Sequence, residues 1–396
     1  MKCLKISFFL NTAVQTNGEK PIEIGFDGKE LTVSLWYSYS PNPLVLRAEA
    51  KAGDGVELIL LPYRAELWVG GGLADEEWPE GELLFRAGDK IDAGTEVFCE
   101  VIDYERSAEP AVLGSFSGGE GWYPGGGVYV GDCMPYFRDG EYHLLYLKDR
   151  HHHKSKWGLG AHQWAHISTS DFENWNIHLM AVEITDPTEG SVCTGSWIRC
   201  GEKEYLYYTI RMGNGIPASI RRSVSADGYH FEKDTEFGFT VPDIYHAESA
   251  RDPKVVRDEE SVFHMFVTTS LLSENRGCLA HFVSRDNENW EDTGKPIYVS
   301  KNSDQPECPD WFFYCGKYYL VFSLCGKAHY MISDSLFEGF WEPEDSVIPC
   351  ASVPKCARWG DRLVFAGFNG INGYGGSVTF KAARAASDGR LVFEEL

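Results

Sequence analysis

Three acidic residues precede aromatic, strand-like runs at nearly constant spacing. Asp132 stands 14 residues before Tyr146, Asp252 stands 14 before Phe266, and Glu307 stands 15 before Phe322. Carboxyl groups gathered from distant parts of a chain suit a reaction in which one gives a proton and another carries charge. Glycoside cleavage is such a reaction, because a proton must reach the leaving oxygen while a carboxylate stabilises an oxocarbenium-like centre. Like-charge repulsion among three carboxylates favours a proton on one of them. Trp311 and Phe312, next to Glu307 in sequence, are expected to desolvate that group further. Arg251, beside Asp252, is placed to offset a negative charge or to hydrogen-bond sugar oxygens.

The elements that must position these groups recur along the chain. A turn followed by an aromatic strand appears as DGEYHLLYL (139–147), GEKEYLYYT (201–209), SVFHMFVTT (261–269), CGKYYLVFS (315–323) and WGDRLVFAG (359–367). A Ser-Asp turn leading to an aromatic ends at Trp175, Phe231, Trp290 and Trp341. Short strands at this period, with turns between them and no helical pattern, predict an all-β fold and a five-bladed β-propeller over 111–396. The three carboxylates then share one position, on the innermost strands of blades one, three and four, and converge on a central funnel. The same count reaches Thr194 in blade two and Ala351, beside Ser352, in blade five. Asp and Glu total 59, so coincidence must be weighed, and Asp-Pro or Glu-Cys-Pro can simply open a strand as a turn. A charge facing a crowded axis is costly unless it is paired or functional, which favours the chemical reading.

These residues resemble glycoside hydrolase family 32, the β-fructosidases. SARDPKVV (249–256) is similar to the family's Arg-Asp-Pro motif, and ECPDWFFYCGKYYLVFS (307–323) to its Glu-Cys motif. WAHISTSDFENW (164–175) resembles Trp-Gly-His-Ala-Thr-Ser-Xaa-Asp-Xaa-Xaa-Xaa-Trp, and CTGSW (193–197) resembles Phe-Ser-Gly-Ser. The resemblance implies a retaining hydrolase of terminal β-fructofuranosyl linkages in small oligosaccharides. Asp132 would be its nucleophile, Glu307 its general acid/base and Asp252 its transition-state stabiliser. Blade one departs from the pattern. Where the family has Trp-Met-Asn-Asp-Pro-Asn-Gly, this chain reads VGDCMPYF (130–137), so Gly131 replaces Asn, and Leu147 stands where Gln is usual. The short Asp-to-strand spacing leans toward the related family 43 arabinosidases and xylosidases. A non-catalytic carbohydrate-binding propeller is the alternative of another class.

The first 110 residues alternate apolar and polar positions between Gly, Asp and Pro turns, which predicts a small N-terminal β-sandwich (1–110). The Gly- and Ser-rich stretch 107–127 reads as a linker. A net charge of −23 disfavours nucleic acid and anionic membranes as partners, leaving a small carbohydrate. The apolar run Ile6 to Leu10 is too short for a signal-peptide core, and eleven scattered cysteines form no framework, so a cytoplasmic location is expected. Trp122, Trp164, Trp197 and Trp311 are candidates for stacking on sugar rings, and His166 for lining the pocket, although blade packing competes for each. His151, His152, His153 and His162 suggest a metal, but no carboxylate or Cys completes a recognised spacing, so neither metal nor cofactor is expected.

Overall fold

The computed structural model describes residues 2–11, 14–15, 21–38, 42–79, 81–86, 89–103, 111–150, 152, 162–212 and 218–396. His151, His153 and residues 107–110 of the expected linker lie outside them. Among the described residues every regular element is a strand, apart from one 3-10 turn at Ala247–Ser249, so the all-β expectation holds. The chain divides into two compact units. One holds Met1–Glu109 and Ile184–Gly190, the other Pro110–His152, His162–Glu183 and Ser191–Leu396.

In the first unit, a five-stranded sheet (Lys2–Phe9, Gly55–Leu60, Ala65–Val69, Gly72–Glu77, Val97–Asp103) accompanies a four-stranded one (Val14–Gln15, Ile22–Phe26, Glu30–Leu35, Leu44–Glu49). Alternation explains why they pack. Ile22, Ile24 and Phe26 are buried along one strand, Leu31, Val33 and Leu35 along the next, and all join Ile6, Phe8, Val56 and Leu58 in one apolar core.

The second unit is built from five successive antiparallel meanders. Their opening strands are Val128–Arg138, Glu189–Cys200, Arg251–Arg257, Glu307–Tyr314 and Ser352–Trp359. The second strands of the meanders are heavily buried, as in Tyr142 to Leu147 and Phe263 to Val267, which fits strands covered on both faces. The Ser-Asp turns have a shared cause. Asp171 Oδ1 accepts from the backbone N–H of Glu173 and Asn174, Asp227 Oδ1 from Tyr229 and His230, and Asp286 Oδ1 from Glu288 and Asn289, at 2.7–2.9 Å.

The first and last meanders are hydrogen-bonded to each other. Val130 pairs with Gly376, Gly121 N–H donates to Val378 O at 2.9 Å, and Val378 N–H donates to Trp122 O at 2.9 Å. Opening strands also lie side by side, the first against the fifth, the third against the fourth and the fourth against the fifth. The expected linker is corrected here. Gly114–Ser117 is a strand paired with Asn174–Ile177, and Gly121 and Trp122 help join the outermost meanders. Gly and Ser content concealed it, because the alternating phenylalanine of Gly-Ser-Phe-Ser packs Phe116 on Trp122 at 4.0 Å.

Candidate active site

In four opening strands the ladder slips near its start: between Val130 and Cys133, Arg251 and Lys254, Glu307 and Asp310, and Ser352 and Lys355. Each slip leaves two residues opposite one, a β-bulge of the kind that re-aims side chains beside functional sites. The bulges correct the register read from the sequence. Glu307 is the last paired residue before its bulge. Asp252 is the first bulge residue of its strand, and Asp132 the second of its own. The carboxylates therefore occupy three consecutive positions rather than one. A fixed count from the aromatic strand ignores hairpin length, and the ladder joins Cys133 to Tyr146 but Lys254 to Phe266. Asp252 and Cys308, which share the first bulge position, have positive φ angles of 55° and 52°.

The three acids are linked through a few side chains. Asp132 Oδ1 accepts from the Tyr374 hydroxyl at 2.5 Å, and Oδ2 accepts from the Thr194 hydroxyl at 2.5 Å and from Cys308 Sγ at 3.3 Å. The same thiol lies 3.6 Å from Asp252 Oδ2, which also accepts the Cys308 backbone N–H at 3.1 Å. Arg251 spans the other two acids, with Nη2 at 2.7 Å from Glu307 Oε1 and Nε at 3.6 Å from Asp252 Oδ2. Its Nη1 donates to Gln305 Oε1 at 2.5 Å and Ser249 O at 2.9 Å, which fixes the fork.

Burial separates the acids. Asp252 is 4% exposed, and that burial raises its pKa, with Arg251 opposing and Asp132 reinforcing the shift. Burial likewise holds the Cys308 thiol and the Tyr374 phenol well above their ordinary values, so both remain protonated donors. The Glu307 side chain is 51% exposed. It therefore lacks the burial that Trp311 and Phe312 were expected to give it. Trp311 is buried with its indole N–H on Leu336 O at 3.1 Å, and Phe312 stacks on Tyr319 at 5.1 Å. Both follow Glu307 by four and five residues, on the far side of the bulge that interrupts the ladder between Glu307 and Asp310.

Arg251 and Thr194 thus stand with the acids, while the other candidates do not. Trp164 is fully buried, its indole N–H on Cys193 O at 2.9 Å. Trp122 stacks within the first meander on Phe116, and Trp197 stacks on Tyr136 at 4.4 Å and binds Glu204 at 2.7 Å. His166, 1% exposed, belongs to a buried group with His143 and His178, one ring nitrogen of each lying within 4.8 Å of the others. That trio is the group among the described residues with a spacing able to hold a metal ion. Each of these side chains meets a core demand, which sequence spacing does not distinguish from a ligand-facing one.

Tyr374 was missed. It lies in the hairpin turn between Arg362–Gly370 and Gly376–Ala385, in an FNGINGYGGS run that signals only a loop. Asp149 anchors that turn, accepting Gly375 N–H at 2.8 Å, while His152 and His162 each lie 3.2 Å from its carboxylate. Asp149 thus accompanies His152 and His162, although no carboxylate completes a recognised metal-binding spacing with them in the sequence. The Tyr374 ring also accounts for Gly131, where a Cβ would come within 2.9 Å of Tyr374 Cε1 and 3.0 Å of Leu147 O.

The chain matches the model of the glycosyl hydrolases family 32 N-terminal domain over residues 133–349, beginning one residue after Asp132. It belongs to glycosyl hydrolase family 32. It is 25% identical over 237 residues to the sucrose-6-phosphate hydrolase of Escherichia coli, covering 56% of this chain and 47% of that one. The chain spans about half or less of the curated relatives it matches. Its fold is similar to fructan 1-exohydrolase IIa from Cichorium intybus in complex with 1-kestose, with TM-score 0.58, 18% identity, and 71% and 60% of the two chains covered. It is also similar to a Bombyx mori GH32 β-fructofuranosidase mutant in complex with sucrose, with TM-score 0.56, 18% identity, and 70% and 65% covered.

Proposed function

We propose that this protein hydrolyses terminal β-fructofuranosyl-type linkages of small oligosaccharides with retention, on a site formed by Asp132, Asp252 and Glu307. The observation that carries the reading is the linkage of these acids, remote in sequence, through Cys308 and Arg251. Asp132, held at both oxygens, attacks the anomeric carbon as the bond to the leaving oxygen breaks and Glu307 transfers its proton to that oxygen. Glu307 then takes a proton from water, whose oxygen displaces Asp132 from the sugar. Its exposure gives it the contact with solvent that this second step needs. Asp252, paired with Arg251, accepts hydrogen bonds from sugar hydroxyls as positive charge develops on the ring.

The five meanders are the blades of a propeller that carries this site, and the preceding two-sheet unit is a structural β-sandwich. Cytoplasmic residence is supported by eleven cysteines that are all free thiols. The test is a panel of sucrose, inulin-type oligosaccharides, aryl-arabinofuranosides and aryl-xylosides. Sucrose or fructo-oligosaccharide turnover is expected, with Asp132→Asn and Glu307→Gln abolishing it and the first-formed product retaining its anomeric configuration by NMR. Turnover of aryl-arabinofuranoside alone would reject the fructoside reading. Sugar binding without turnover of any glycoside would reject catalysis.

A further inference from the structure

The opening strands line a cavity of about 430 Å³ at their far ends. The carboxylates stand at the starts of these strands, whereas the cavity is lined by later residues of the same strands, among them Tyr136, Trp197, Val256 and Ala357. Five cationic side chains line it: Arg199, Lys254, Arg257, Lys355 and Arg358. Asp310 is the one carboxylate among the lining residues. In a chain of net charge −23, such a concentration of positive charge in one concavity opposes the general balance.

Two of the cations are already matched. Lys254 Nζ lies 2.6 Å from Asp310, whose oxygens also accept the backbone N–H of Trp311 at 3.0 Å and Cys356 at 3.1 Å. Arg199 pairs with Asp139 at 3.1 Å. The other three make no direct ion pair with a carboxylate among the described residues, although Asp310 and Asp252 lie near enough to Lys355 to favour its charge. Arg257 lies over the Phe263 ring at 5.4 Å, with Nε 3.5 Å from Ser261 O, and Arg358 Nε donates to Gly360 O at 3.1 Å. Lys355, 3% exposed, donates once, to Gly195 O at 2.8 Å, although an ammonium has three donors. A buried cation is costly unless an anion accompanies it.

The arrangement repeats in the sequence. Pro253-Lys254-Val255-Val256-Arg257 and Pro354-Lys355-Cys356-Ala357-Arg358 share Pro-Lys-x-x-Arg, and each Lys resumes the ladder after its bulge. Two guanidinium forks and an under-used ammonium suit a tetrahedral oxyanion. Pockets that hold small molecules run to about 300–1,000 Å³, so the space admits more than the anion alone. We propose that this far cavity binds phosphate, free or as the monoester of a small molecule, on Arg257, Lys355 and Arg358, separately from the carboxylate site.

The test is calorimetry of the full chain at low chloride with inorganic phosphate and with glucose 6-phosphate. Saturable one-to-one binding is expected, weakened roughly tenfold or more when Arg257→Gln and Arg358→Gln are combined. Arg257→Lys with Arg358→Lys keeps the charge and should weaken binding less, which guards against misfolding of the Gln pair. Glu307→Gln should leave the affinity unchanged. Tighter binding of glucose 6-phosphate than of phosphate would identify the monoester as the ligand, and the reverse order would identify the free ion. No saturable binding of either probe, equal affinity in the Gln pair, or loss of binding in Glu307→Gln would each overturn the proposal.

Discussion

Replacing Tyr374 by Phe removes one atom from the candidate site, the hydroxyl that donates to Asp132 Oδ1 at 2.5 Å. The acceptor is a carboxylate, so the lost bond is worth about 1.5–3 kcal/mol. The remaining contacts, Thr194 and Cys308, both lie on Oδ2. The terminal torsion of an Asp side chain is broad, so releasing Oδ1 lets the carboxylate rotate away from the orientation that the proposed attack requires. If the full amount is lost from the transition state, kcat/KM falls roughly 10- to 150-fold. The phenol is pushed well above its ordinary pKa by burial, so it stays a donor across the working range and the deficit should not depend on alkaline pH. The assay is steady-state kinetics on whichever glycoside the panel identifies, with thermal unfolding as the control for folding. A kcat/KM within twofold of the parent, in a protein of unchanged Tm, would refute the claim that Tyr374 holds Asp132 as the proposed nucleophile.

Other expectations follow from the same contacts. Gly131→Ala places a Cβ against the Tyr374 ring and Leu147 O, should cost about 1–3 kcal/mol of stability by overpacking, and should lower activity. Combined with Tyr374→Phe, its kinetic loss should be less than additive, which a double-mutant cycle would measure. The raised pKa of buried Asp252 means that its favourable contribution is complete below the ordinary carboxylate value and is lost as pH rises through the folded value. Asp252→Asn should therefore raise Tm at pH 7, with the gain shrinking toward pH 3.5, while abolishing turnover; a lower Tm at pH 7 would contradict this. Cys308, its thiol held well above the ordinary value, should resist iodoacetamide at pH 8 in the folded protein and react once unfolded, as mass spectrometry would report.

The strands, the turns between them and the place of three acidic residues near the starts of their opening strands were legible because each depends on local chemistry. Alternation sets the buried face of Ile22 to Phe26, Asp171 and its counterparts cap their own turns, and the Arg-Asp-Pro and Glu-Cys-Pro segments carry their residues wherever the chain places them. Arg251 and Thr194 joined the acids because their strands are fixed by the same repeat. Tertiary structure alone decided the rest. A bulge shifts a side chain by one position without marking the sequence, so the acids stand at three positions instead of one. Whether a tryptophan faces sugar or core depends on its neighbours across the sheet, and Trp164 found Cys193 O. Tyr374 reaches Asp132 from 242 residues away, through a turn held by Asp149, and no local pattern encodes a contact formed only when the first and last meanders meet.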